Sequence, residues 1–181
     1  MSRNYKFHNS EGLYFVSFAV VFWIDVFIRR IYFECLVKNL NICVDNKGME
    51  IYAWCIMPSH VHLVFRSTIQ KPEELMRDFK SFTSKELIGL IRENSQESRK
   101  EWMMSLFEKA GKSNSNNTNF QFWRQDNHPI HIKDDEHYSK TLEYIHNNPV
   151  SSGLVEDPAA YIWSSAKDYN NKKGLIPVMM L

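Results

Sequence analysis

The sequence has no excess of basic charge. Its 22 lysines and arginines face 21 acidic residues, for a net charge of +1. A chain that holds nucleic acid through a broad basic surface carries a strong positive excess, so any such footprint here must be local. Cysteine is scarce: Cys35, Cys43 and Cys55 are odd in number and form no CxxC pair. That pattern excludes a disulfide framework and a zinc knuckle, and it points to a reducing, cytoplasmic setting. A membrane span is not expected either. The apolar stretch 13–24 is too short to cross a bilayer. No small-residue cleavage site follows it, as a secretory signal would require, and Asp25, Arg29 and Arg30 come next. Neither a repeat nor a second composition separates from the rest, so 1–181 is read as a single domain, with the tail 151–181 wrapping it through Tyr161 and Trp163.

What is plentiful is aromatic. Twelve Phe, eight Tyr and five Trp make up 14% of a chain that is 44% hydrophobic. Most of these rings serve a core, and some can serve as stacking platforms for bases.

The hydrophobic pattern predicts the elements. Residues 13–22, rich in Tyr, Phe and Val, read as a strand. From 26 to 43, Phe27, Ile31, Leu36, Leu40 and Val44 recur at helical spacing, with Asp25 as N-cap. The run 51–57 reads as a central strand, the Met57-Pro58-Ser59 reversal follows, and 60–65 returns antiparallel. Residues 72–92 form a helix with Leu75, Phe79, Phe82, Glu86 and Leu90 on one side. A further helix covers about 96–110. The polar stretch 111–119 is expected to be a mobile loop. Residues 120–123 begin a last short strand, and Asp134-Asp135 opens a helix that Pro149 closes. Strand, helix, strand, strand, helix, strand, helix is the α+β, ferredoxin-like split βαβ order. It gives a central antiparallel sheet, helices on one side and one added C-terminal helix.

Chemistry concentrates in two places. His60 and His62 alternate along a strand and so share one face, with Cα atoms roughly 6.5–7 Å apart. Imidazoles at that spacing can converge on one metal ion, or they can be two partly buried, hydrogen-bonded histidines. On the last helix, Tyr138, Leu142 and Ile145 make a narrow apolar stripe, and Tyr144 lies roughly 130° from its centre. Asn148 stands one turn further on the same face as Tyr144. A phenol beside a carboxamide near two histidines suggests covalent chemistry, with Asn148 as a third ligand and Mg²⁺ or Mn²⁺ as the ion. A surface tyrosine followed by an asparagine helix stop is the plainer alternative.

Together these segments resemble the single-tyrosine HUH transposases of insertion sequences, in their REP-associated tyrosine transposase branch. Ala53-Trp54-Cys55-Ile56-Met57-Pro58-Ser59-His60-Val61-His62-Leu63-Val64 is similar to the family's HUH strand pair. Tyr144-Ile145-His146-Asn147-Asn148-Pro149-Val150, with Gly153-Leu154-Val155, is similar to its tyrosine helix. Asp78-Phe79-Lys80-Ser81-Phe82-Thr83 and Tyr161-Ile162-Trp163-Ser164-Ser165-Ala166 also match, so the resemblance spans about 13–176.

The resemblance implies that His60 and His62 are metal ligands and that Asn148 holds the place of the polar third ligand. Tyr144 matches the nucleophile, which forms a 5′-phosphotyrosine link and frees a 3′-hydroxyl. It further implies single-stranded, hairpin-forming DNA as partner, a homodimer, and a nicking and strand-transfer reaction. Ser59 stands where members carry Asn and can still cap the turn. Ser151-Ser152 replaces a basic-plus-small pair, which removes one phosphate contact. Arg66, Arg77, Lys80, Lys85, Arg124 and Lys133 are the candidate DNA-binding cations. His128, His131, His137 and His146 are read as structural or surface residues. The competing functions are a silent DNA-binding regulator of the same fold and a metal nuclease that uses water.

Overall fold

The computed structural model describes residues 6–113, 119–125 and 127–181. Four strands, β1 (Tyr14–Ala19), β2 (Met49–Ile56), β3 (His60–Ser67) and β4 (Ile130–His131), form one antiparallel sheet in the order β2-β3-β1-β4. This is the split βαβ order, in which β3 lies between β1 and β2. Four α-helices accompany it: α1 (Arg30–Lys47), α2 (Pro72–Glu93), α3 (Lys100–Lys112) and α4 (Asp135–Ser151).

The sheet's two faces have different partners. Val16, Phe18, Trp54, Ile56, Val61, Leu63 and Phe65 are buried on the face covered by α1 and α2, where Phe18 meets Phe79 edge to face. Phe15, Ser17, His60, His62 and Cys55 lie on the opposite face in matching register. There α4 crosses: its Tyr144 ring meets Phe15 and His62, and its Tyr138 meets Tyr52. Alternation along β3 thus places an apolar row in the core and a histidine row under α4.

Several local expectations are corrected. The first helix begins at Arg30, not 26, because Asp25 caps nothing and instead pairs with Arg99 at 2.8 Å. Its buried side is Tyr32, Phe33, Leu36, Leu40 and Cys43, whereas Ile31 is exposed. On α2, Thr83 rather than Phe82 faces inward; Phe82 is 58% exposed. The third helix spans Lys100–Lys112 and takes in Gly111 and Lys112, the start of the expected mobile loop; residues 114–118 of that loop lie outside the described residues. Residues 120–123 form a single bridge, Val20 to Trp123, not a strand. The fourth strand is β4, pairing Tyr14 with His131 and Phe15 with Ile130. Helix α4 runs two residues beyond Pro149. It ends where Gly153, at φ 70°, supplies the left-handed turn.

The tail lies along the outer edge of β2. The Trp163 carbonyl accepts from the Ile56 amide at 2.9 Å, and the Met179 amide donates to the Ile51 carbonyl at 2.7 Å. Tyr161 donates its hydroxyl to the Ile56 carbonyl at 2.8 Å, and Trp163 stacks on Phe33 at 4.4 Å. No helix of the described residues is long and apolar enough to cross a membrane.

Candidate active site

The site begins at the turn into β3. Pro58 ends β2's extension, and its carbonyl accepts from the Phe27 amide at 2.9 Å. The Ser59 carbonyl is bound by the Val20 amide at 2.9 Å, so both sides of the reversal are fixed before His60 begins the strand. The Ser59 hydroxyl lies 3.2 Å from His60 Nδ1. That contact orients the ring and leaves its Nε2 for another partner.

His60 and His62 project from one face of β3 with ring centroids 4.8 Å apart. They differ sharply in environment. His60 is half-buried, while His62 is 3% exposed and sandwiched between Phe15, stacked at 5.7 Å, and Tyr144. Among the described residues neither ring nitrogen of His62 has a hydrogen-bond partner. An orphaned buried imidazole is costly unless something absent from the protein itself completes it. Burial, helped by the nearby His60, pushes the His62 pKa down to about 3; burial lowers that of His60 as well. Both rings are therefore neutral near pH 7, the form that binds a metal ion.

Helix α4 brings in the other two groups. Asp134 caps it, its carboxylate accepting from the His137 amide at 2.8 Å. Buried Tyr138 and Ile145 hold it to the sheet and tail. Tyr144, off that stripe as the helical period predicts, is 53% exposed, and its ring centroid lies 5.3 Å from that of His62. Asn148 donates its amide to the Tyr144 carbonyl at 2.9 Å. This leaves its oxygen uncommitted by that bond, and the carboxamide favours the charged form of His62, although no hydrogen bond of ordinary geometry joins them. Thus His60, His62, Tyr144 and Asn148 meet in one place. Among the described residues no group of three or more His, Cys, Asp or Glu side chains gathers for a metal. What these residues could offer a metal ion is two imidazoles and a carboxamide oxygen. That set fits a divalent ion that keeps open positions for water and phosphate oxygens.

The six candidate cations divide. Arg77, Lys80, Lys85 and Arg124 line one cleft of about 700 Å³ between α2 and residues 119–125 and 127, together with Arg92, which no sequence pattern singles out. Lys80 is anchored there, donating to the Arg124 carbonyl at 2.6 Å and to Asn127 Oδ1 at 2.7 Å. Arg66 lies apart, in a two-bond ion pair with Glu50 at 2.6 and 2.9 Å. Lys133 is exposed between β4 and α4 and does not line the cleft. His146 has a structural partner, Ser165 Oγ at 2.9 Å. Trp123 is core, its indole donating to Thr83.

The fold is shared with a solved REP-associated tyrosine transposase bound to a REP hairpin. At 15% identity the TM-score is 0.61, with 99% of this chain and 92% of that one covered. A putative transposase from Deinococcus radiodurans R1 is also similar, at 15% identity over 81% of this chain and 95% of that one, with a TM-score of 0.45. No curated protein matches. The sequence model of IS200-like transposases matches residues 26–119, just over half of the chain; this includes the histidine strand and stops short of Tyr144. That match makes this chain a member of the IS200-like transposases.

Proposed function

We propose that the protein is a metal-dependent, single-tyrosine DNA strand transferase. The observation that carries this reading is the exposed Tyr144 ring 5.3 Å from a buried His62 whose nitrogens lack partners among the described residues. His60, His62 and the Asn148 oxygen would hold Mg²⁺ or Mn²⁺. When bound, such an ion polarises the scissile phosphate and offsets its charge. The Tyr144 hydroxyl attacks the phosphorus, the bond to the 3′ oxygen breaks, and the phenolic proton ends on the freed 3′-hydroxyl. The DNA stays linked through a 5′-phosphotyrosine, and a 3′-hydroxyl attacking that link reverses the step and rejoins strands. Burial of His62 excludes water on the sheet side, and each ring's own burial keeps it neutral.

Single-stranded DNA that folds into hairpins is the substrate class we infer, since the similar solved protein is bound to a REP hairpin. Arg77, Lys85, Arg92 and Arg124 would contact phosphates along the cleft, a sequence-independent and salt-sensitive contribution. The chain acts as one unit over 1–181 and as the homodimer implied by the resemblance.

Incubation with single-stranded DNA and Mn²⁺ followed by denaturing electrophoresis tests the reaction. The wild type gives a covalent adduct, and Tyr144→Phe gives none while retaining DNA binding. An adduct from the Tyr144→Phe protein would overturn the assignment. Cutting without any adduct would establish the water-using nuclease, and binding without cutting the silent regulator.

A further inference from the structure

The turn Val21–Trp23 after β1 carries an unusual combination. Phe22 and Trp23 are 55% and 54% exposed, yet both have left-handed backbones, with φ of 56° and 55°. Bulky side chains rarely adopt that region, and such strain persists only where the surroundings over-determine it. Here they do. The Val20 amide is bound to the Ser59 carbonyl, the Val21 amide to the Phe122 carbonyl at 2.8 Å, and the Arg124 amide to the Ala19 carbonyl at 2.8 Å.

The strain therefore presents two rings to solvent, where they bury little area of their own. Trp23 is not isolated. Its ring meets His60 edge to face at 5.4 Å, and the Arg124 guanidinium lies 5.6 Å from its centroid. Phe22, Trp23, Gln121, Arg124 and Gln125 line an open cleft of about 540 Å³, and Arg124 borders the basic cleft as well. Trp23 thus stands between the histidine pair and the phosphate-binding cations.

We propose that Trp23, with Phe22 beside it, is the stacking platform for the unpaired base next to the scissile phosphate, Arg124 holding that nucleotide's phosphate. This rests on reading His60, His62 and Tyr144 as the cleavage site. An exposed indole beside a guanidinium offers what a single-stranded nucleotide needs: a flat face for the base and a charge for the backbone. Trp23 acts as a positioning residue, setting which phosphate reaches Tyr144.

The test compares affinity for a 20-nucleotide oligo-dT with affinity for a 20-unit abasic strand that keeps its phosphates, by fluorescence anisotropy. Trp23→Ala and Trp23→Leu should weaken oligo-dT binding about tenfold and leave the abasic strand unaffected, and Trp23→Phe should recover most of the loss. Equal loss on both strands, or no loss on oligo-dT, overturns the platform. On any strand that yields the Tyr144 adduct, removing the base beside the cut should lower adduct formation at limiting DNA in the wild type and not in Trp23→Ala. An equal effect in both proteins also overturns it. Absence of any adduct condemns the cleavage reading instead, and the oligo-dT comparison then decides the platform alone.

Discussion

At the scale of single residues, the proposed metal site would divide its donors between the buried His62 ring and the half-buried Asn148 amide. The Asn148 amide is committed to the helix carbonyl of Tyr144, so its oxygen is the donor left over. Asn148→Ala should weaken Mn²⁺ binding about tenfold or more, whereas Asn148→Asp, which keeps the oxygen and adds charge, should tighten it. Isothermal titration of the three proteins with Mn²⁺ checks the pair of signs, and an unchanged Asn148→Ala removes the residue from the site. The placement of Tyr144 and Asn148 is legible in the sequence, because a helix of known period leaves a tyrosine off its apolar stripe and sets the residue four later beside it. The unequal burial of His60 and His62 is not legible there. Both alternate on one strand face, and only the crossing of α4 covers one and spares the other. Trp23 escapes notice for a different reason: a Phe-Trp pair ending a β-rich run reads as strand, and no residue type there announces a left-handed backbone.

At the scale of elements, the junction between α1 and α3 depends on one carboxylate. The Glu97 side chain is fully buried and accepts from Arg29 at 2.8 Å, from Arg99 at 3.3 Å and from the Tyr32 hydroxyl at 3.3 Å. Burial alone would raise its pKa, but Arg29 and Arg99 outweigh burial and hold it below the usual carboxylate value. Its contribution is present above the unfolded pKa and lost as pH falls through the lower folded one. Glu97→Ala should destabilise the fold by about 3 kcal/mol, read from the urea midpoint at pH 7, since it removes the buried carboxylate that two guanidinium groups share and leaves Arg29 with the Gln96 carbonyl and Arg99 with Asp25. The same network explains the displaced start of α1. Asp25 is a good N-cap by type, yet its partner is Arg99, 74 residues away, which no local window contains. Likewise β4 has only two residues, both exposed, and so no period from which a strand could be inferred. The aromatic run 120–123 has the composition of a strand, but Phe122 and Trp123 are buried by packing against Phe27 and Phe107 instead.

At the scale of the whole molecule, tyrosine and histidines of the same chain already lie together. If each chain cleaves with its own tyrosine, mixing Tyr144→Phe with His62→Ala protein restores no adduct, even in a dimer. Recovery of adduct in the mixture would show that α4 exchanges between subunits. The long strands, the split βαβ order and the added helix are all legible in the sequence because their patterns run over many residues. The division of the sheet's faces between the helix pair and α4 emerges only in three dimensions. That division also sets the acid response. His62 and His146 stay neutral in the fold down to about pH 3 and about pH 4, against an ordinary value of 6.5, through burial. The unfolded chain takes up those protons first, so stability of the metal-free protein is full above pH 6.5 and falls as pH drops from there toward 4. Urea midpoints at pH 7.5 and 5.5 should show the decline, and His146→Gln should make it shallower.

The tail beside β2 has one further consequence. An outermost strand offers a row of free amides and carbonyls to any extended chain it meets. On β2 the amide of Ile56 and the carbonyls of Ile51 and Ile56 are taken up by Trp163, Met179 and Tyr161. The protein thus occupies its own template for edge-to-edge polymerisation, and it does so with a segment that is made after the sheet. Until those residues emerge, the nascent sheet is open on that side to any extended chain.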